Sequence, residues 1–237
     1  FLASLAFFAW RQCAYWKNNI ELWNHAIQAT EDNYMAHNNL GLALFTEGKA
    51  NEAIAHYNQV IRIRPFETVP RHNKGVVYTR SGQYQMAIEN YDEAIRVNPD
   101  DAEAYHAKGN IYLGLGQHQK AVENLSKAIA LKPDNPAIYY NRGTAYIHLA
   151  QYQQAIADYS KAVALNPAYF DAYNNRAFIY LRLGRYQQAV EDYSQAIRLK
   201  PDYADAYNNR GFVHLLTGNM EAGCRDAHQA CNMGTCS

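Results

Sequence analysis

The sequence lacks the features a catalyst would need. None of its nine histidines sits in an HExxH pair, and no glycine run matches a P-loop or a dinucleotide-binding turn. There is no CxxCH, which excludes an ordinary c-type haem site. No nucleophile, base and orienting group converge along the chain, so it is not expected to be an enzyme, and no cofactor or metal is expected. An excess of charge is missing as well. Lys plus Arg and Asp plus Glu both total 22, which argues against nucleic acid as the main partner, because a polyanion requires a basic surface excess. Long apolar runs are absent except for Phe1–Trp10, FLASLAFFAW, where only Ser4 is polar. That run is shorter than the about 20 residues that span a bilayer, and no basic segment precedes it as in an intact signal peptide. It reads as the tail of a membrane helix, a processed end, or a helix packed against the adjoining part of the chain.

What the sequence does contain is a period. Prolines stand 34 residues apart at Pro65, Pro99, Pro133, Pro167 and Pro201. Glycine keeps the step at Gly41, Gly75, Gly109, Gly143 and Gly211, with Ala177 in the same column, and alanine keeps it at Ala53, Ala87, Ala121, Ala155 and Ala189. Three residue types locked to one period mean one structural unit copied along the chain. Placing the first glycine series at position 8 gives units 34–67, 68–101, 102–135, 136–169, 170–203 and 204–237. Ile138, Tyr139, Arg142, Gly143 and Tyr146 mark one face of a first helix, and Ala155, Ile156, Tyr159, Ala162 and Val163 mark a second. Position 15 (Gly48, Gly82, Gly116, Ala150, Gly184, Gly218) lies between them, where a helix ends in left-handed backbone. Proline then stops the second helix.

Small residues at positions 8 and 20, with aromatics at positions 4, 11 and 24, resemble the tetratricopeptide repeat (TPR) column by column over residues 34–237. Departures are few: Arg or Lys replaces Leu at position 7 in five units, and Leu125 and Ala227 replace the aromatic at position 24. The resemblance implies an all-α, right-handed superhelical solenoid of antiparallel helix pairs. Projecting the period upstream places Trp23 and Ala26 on columns 24 and 27, and Trp10 on column 11. Residues 1–33 then read as an apolar helix plus a degenerate repeat, about seven pairs in all, with Trp10, Tyr15, Trp16 and Trp23 in the core.

Position 6 carries Asn39, Asn73, Asn141, Asn175 and Asn209, interrupted by Ala107. On the concave side such amides could pair with the backbone of an extended peptide, as in the asparagine ladder of O-linked N-acetylglucosamine transferases, which this row resembles. The alternative is a polar residue tolerated beside the helix pair. Position 5 has no lysine, unlike the TPR domains that hold chaperone C-termini. Cys224, His228 and Cys231 fall on one face of the last helix. Cys224 and Cys231 occupy columns 21 and 28, which are apolar elsewhere, so buried core thiols, a disulfide involving Cys236, or a metal site are the readings. Cys13 is a further disulfide candidate.

These features lead to a non-catalytic interaction scaffold that binds protein or peptide. Self-association is expected head to tail, between Leu2, Leu5, Phe7, Phe8 and Trp10 at one end and an uncapped last repeat at the other, giving filaments or rings as a homo-oligomer. In the alternative, the chain is the peptide-binding segment of a larger membrane-embedded protein of glycosyltransferase type, because WRQCAYWKNNIELWNHAIQATEDNYMAHNNLG is similar to junctions where a membrane helix passes into repeats. An extracytoplasmic location, periplasmic or extracellular, is expected rather than a cytoplasmic one.

Overall fold

The computed structural model describes residues 18–234. The expectations for Leu2, Leu5, Phe7, Phe8, Trp10, Cys13, Tyr15, Trp16 and Cys236 lie outside the described residues. Within them there are thirteen helices and no strand. A single helix, α1 (Asn19–Ala29), precedes the pairs α2 (Tyr34–Thr46) with α3 (Ala50–Ile63) and α4 (Val69–Arg80) with α5 (Tyr84–Val97). Next come α6 (Ala102–Gly114) and α7 (His118–Leu131), α8 (Pro136–His148) and α9 (Tyr152–Leu165), and α10 (Phe170–Arg182) and α11 (Tyr186–Leu199). The last pair is α12 (Ala204–Leu216) and α13 (Met220–Asn232). The chain forms two compact bodies, divided inside α6 between Ile111 and Tyr112.

Local chemistry sets the helix boundaries. Asn33 caps α2 by accepting from the Ala36 backbone N–H, Asn135 caps α8 through Ala137 N–H with Pro136 at the first position, and Asn219 caps α13 through Ala222 N–H. Second helices α3, α5, α7, α9 and α11 each stop two residues before the periodic proline, whose ring cannot enter a helix interior. Between the helices of a pair, Gly48, Gly82, Gly116, Gly184 and Gly218 take φ of +70 to +81°. Ala150 takes the same left-handed turn at φ +56°, where its Cβ crowds the following carbonyl. Ala150→Gly should therefore raise stability by about 0.5–1 kcal/mol in urea unfolding.

In the first body each helix from α1 to α5 packs on the next. Leu40, Leu44, Ala53, Tyr57 and Val77 form its core, and Ile20, Trp23 and Ile27 of α1 lie against it, which puts Trp23 where the projected period expects it. In the second body the same succession holds from α7 to α13. Its core is built from Tyr139, Ala155, Tyr159, Ala162 and Ile179, and then from Tyr180, Ala189, Tyr193, Ala196, Ala206 and Val213. The five position-20 alanines are fully buried, and so are the position-24 residues Tyr57, Leu125, Tyr159 and Tyr193. Position 8 is small because that aromatic ring lies against it. A Cβ on Gly75 would stand 2.6 Å from the Tyr91 ring, and one on Gly143 would stand 3.0 Å from the Tyr159 ring.

One expectation is corrected here. Cys224 and Cys231 are not core thiols: both are exposed, and Cys224 is a free thiol. The equivalent Ile197 of α11 packs in a cluster with Ala206 and Val213 of the next repeat, whereas among the described residues no further helix covers α13. Cys231 is disulfide-bonded, so of the four candidate cysteines Cys224 drops out of the pairing.

Candidate functional site

Three of the residues that depart from the repeat pattern at position 7, Arg142, Arg176 and Arg210, form a regular network. Arg142 donates from Nε and Nη2 to both carboxylate oxygens of Asp158 at 2.7 Å, and from Nη1 to Ser126 Oγ of the preceding repeat at 3.0 Å. Arg176 repeats this with Asp192 at 2.6 and 2.7 Å and Ser160 at 2.9 Å, and Arg210 with Asp226 at 2.7 Å and Ser194 at 3.0 Å. Each guanidinium therefore ties the two helices of its own repeat to the second helix of the one before. Desolvation works against the charge of Arg142 and Arg176, but the hydrogen bonds and charge of Asp158 and Asp192 outweigh it and raise both pKa values. In the first body Lys108 reaches back to Asp92 in the same way. Ser126, whose Asn124-Leu125-Ser126 triplet matches a glycosylation acceptor, is thus engaged inside the array, and Asn124 bonds the Lys120 carbonyl. Arg142, Arg176 and Arg210 are structural.

The amide row also bonds from one repeat to the next. Asn73 Nδ2 donates to Asn38 Oδ1 at 3.1 Å, and Asn175 Nδ2 donates to the Tyr140 hydroxyl at 3.0 Å, both 35 residues back. Asn141 is not free either. Position 6 of one repeat thus reaches position 5 of the repeat before it. In the second body Asn175 belongs to a polar and aromatic strip. Asn174 donates to Asn175 Oδ1 at 3.3 Å, Tyr140 stacks on Tyr169 with centroids 4.9 Å apart, and Tyr203 donates to Asp171 at 3.1 Å. Phe178 and Phe212, both at position 9, stay exposed. Desolvation raises the pKa of Tyr140 and Tyr159 and keeps them protonated, and the Tyr159 hydroxyl lies 3.0 Å from Thr144 Oγ1.

In the first body, α2 and α4 flank a cleft of about 380 Å³ lined by Tyr34, Met35, Asn38, Asn39, Val60, Glu67, Val69 and Pro70. Its floor is apolar, since Val60 and Pro70 are buried, while Met35 (61 %) and Val69 (47 %) stand exposed at the rim. Asn38 is held by Asn73, and Asn39 presents its amide to the cleft with no hydrogen bond among the described residues. Asn209 in the second body is likewise without one. Of the predicted amides, then, Asn39 and Asn209 keep their full hydrogen-bonding capacity, and Asn73 and Asn175 spend a donor on the scaffold. The apolar partners Met35 and Val69 were not singled out from sequence. Their signal is that position 2 is apolar in the first two units and acidic at Glu103, Asp171 and Asp205.

Among the described residues no group of three or more His, Cys, Asp and Glu side chains stands together to hold a metal ion. None of the described helices is long and apolar enough to cross a membrane.

Family models described as TPR repeat match residues 75–116, 109–149 and 179–218, and models described as tetratricopeptide repeat match 20–68, 136–169 and 159–191. The chain belongs to the tetratricopeptide repeat family. No curated protein sequence matches it significantly. Among solved structures it is similar to MamA, with 27% identity and a TM-score of 0.65 over 67% of this chain and 93% of that one. It shares the fold of PilF of Pseudomonas aeruginosa (17% identity, TM-score 0.73, 86% of this chain and 93% of that one). It shares it too with YrrB, described as a TPR protein with an unusual peptide-binding site (19% identity, TM-score 0.66, 79% of this chain and 96% of that one). The chain is a TPR scaffold with a protein-interaction role.

Proposed function

We propose that this chain is a non-catalytic scaffold that holds an extended peptide segment of a protein partner on its first-helix faces, with the α2–α4 cleft as the primary seat. The observation that carries this reading is the combination of an apolar floor, an exposed Met35–Val69 rim and the unspent Asn39 amide in one cleft. An apolar side chain fills the floor, and its backbone N–H and C=O pair with the Asn39 amide, which offers both a donor and an acceptor. The description of YrrB as having a peptide-binding site supports the same use of the fold. The test is a peptide array probed with the chain. Val69→Glu places a charge at the apolar rim and should reduce the strongest signals at least tenfold, with circular dichroism unchanged. Asn39→Ala should weaken them less. Signals that persist in both variants would refute the cleft as the seat.

Self-association is a second reading, favoured by the apolar side chains Phe212, Leu216 and Met220, which stand exposed on α12 and α13. Light scattering should then show oligomers that Leu216→Glu dissociates, and a monomer at high concentration contradicts this reading. The disulfide at Cys231 supports an oxidising, extracytoplasmic setting for either role.

A further inference from the structure

Position 6 bonds back to position 5 of the preceding repeat from Asn73 to Asn38 and from Asn175 to Tyr140. The junction of repeats 170–203 and 204–237 lacks this link. Its pair is Asn209 and Asn174, and Asn209 makes no hydrogen bond among the described residues. Asn174 is only 8% exposed, donates to Asn175, and leaves its own Oδ1 without a partner. In two other repeats a position-5 ring lies against the position-24 tyrosine: centroids are 5.3 Å apart for His72 and Tyr91, and 5.6 Å for Tyr140 and Tyr159. Repeat equivalence puts the shorter Asn174 in that place beside Tyr193. Tyr193 is fully buried and its hydroxyl is also unpartnered, because Phe178 stands at position 9, where Thr144 meets the Tyr159 hydroxyl. Buried polar groups without partners cost stability until something completes them.

The charge at this junction is negative. Asp171 and Asp205, both at position 2, stand one turn before Asn175 and Asn209 on α10 and α12. Neither forms an ion pair among the described residues, and Asp171 accepts from the Tyr203 hydroxyl at 3.1 Å. Desolvation raises the pKa of Tyr203, and the charges of Asp171 and Asp205 raise it further, so both carboxylates act on one hydroxyl. Lys200, 5.0 Å from the Phe170 and Tyr203 ring centroids, offsets part of that charge. We propose that this junction receives the guanidinium of an arginine in an extended segment of a protein partner. A guanidinium carries five N–H donors in one plane and no acceptor. It donates to Asn174 Oδ1, Asn209 Oδ1 and the Asp171 carboxylate, and Asn209, held by no bond, turns to open the way to Asn174. A neutral donor would satisfy Asn174 and leave the net negative charge in place, so charge selects the occupant. Phe178, 39% exposed and one turn beyond Asn174, offers its ring to the cation. The seat lies wholly in the second body and does not depend on the α2–α4 cleft.

Titration of acetyl-Ala-Ala-Arg-Ala-Ala-amide into the full chain labelled with nitrogen-15, followed by nuclear magnetic resonance, tests the seat. The Asn174 and Asn209 side-chain amides should shift saturably. The same peptide with citrulline, a neutral isostere of arginine, should bind about tenfold more weakly or worse, since the hydrogen bonds lose their charge. Asn174→Tyr installs the residue type found at position 5 of repeat 136–169 and should abolish the Asn209 shift. Should that variant lose its helical signal, Asp205→Asn at an exposed position serves and should weaken binding several-fold. Val69→Glu, which disables the cleft, should leave this titration unchanged, so the two seats fail separately. Unmoved Asn174 and Asn209 amides at millimolar peptide, or equal affinity for the citrulline peptide, would overturn the assignment and leave Asn174 and Tyr193 as unpaired groups of the scaffold.

Discussion

Asp192→Ala should lower stability by about 3–5 kcal/mol, because it leaves the Arg176 guanidinium desolvated without its bidentate partner. The side chains of Arg176 and Asp192 are only 15 and 10% exposed, so water cannot replace the lost carboxylate at full strength. The loss should appear in urea unfolding as a lower midpoint. Replacing both partners by leucine should cost far less, since no isolated charge is then buried. The Ser160 bond gives the effect a direction along the array. Hydrogen exchange should quicken in α9 as well as in α10 and α11, because the guanidinium is the link back to the preceding repeat. If exchange rose only in α10 and α11, the connection to the preceding repeat would be energetically silent.

Tyr159→Ala should cost about 3–5 kcal/mol, the range for emptying a buried aromatic site. The ring is fully buried, it lies against Gly143, and its hydroxyl pairs with Thr144. Coupling to position 143 separates this account from general core loss. In the wild type, Gly143→Ala brings its Cβ to 3.0 Å from the ring and should destabilise. In the Tyr159→Ala background the ring is gone, and the same alanine should be neutral or stabilising, since it favours the helix. Purely additive effects in this double-mutant cycle would show that the ring does not keep position 8 small.

The 34-residue period made the helix pairs legible because each locked residue type answers one local demand: proline ends a helix, glycine takes a left-handed turn, and alanine admits a neighbouring ring. Trp23 was placed by projecting that period upstream. The guanidinium network could have been read as well. Arg142, Arg176 and Arg210 occur only where Asp158, Asp192 and Asp226 stand 16 residues later and Ser126, Ser160 and Ser194 stand 16 residues earlier. Taking position 7 alone made these arginines look like simple departures. The amide row was visible, but its use was not. Whether Asn175 faces a ligand or Tyr140 depends on the offset between neighbouring first helices, a tertiary quantity that no one-dimensional pattern contains. The cysteines were misread for a similar reason: column identity implies burial only where a following helix supplies the cover.

Nuclear magnetic resonance tests most directly whether the α2–α4 cleft seats a peptide. The strongest array-selected peptide would be titrated into the chain labelled with nitrogen-15 and on its methyl groups. Saturable shifts are expected of the Asn39 side-chain amide and of the Met35, Val60 and Val69 methyls, with the α12 and α13 signals unmoved. Shifts confined to other surfaces, with Asn39 and Val69 unchanged at saturation, would contradict it.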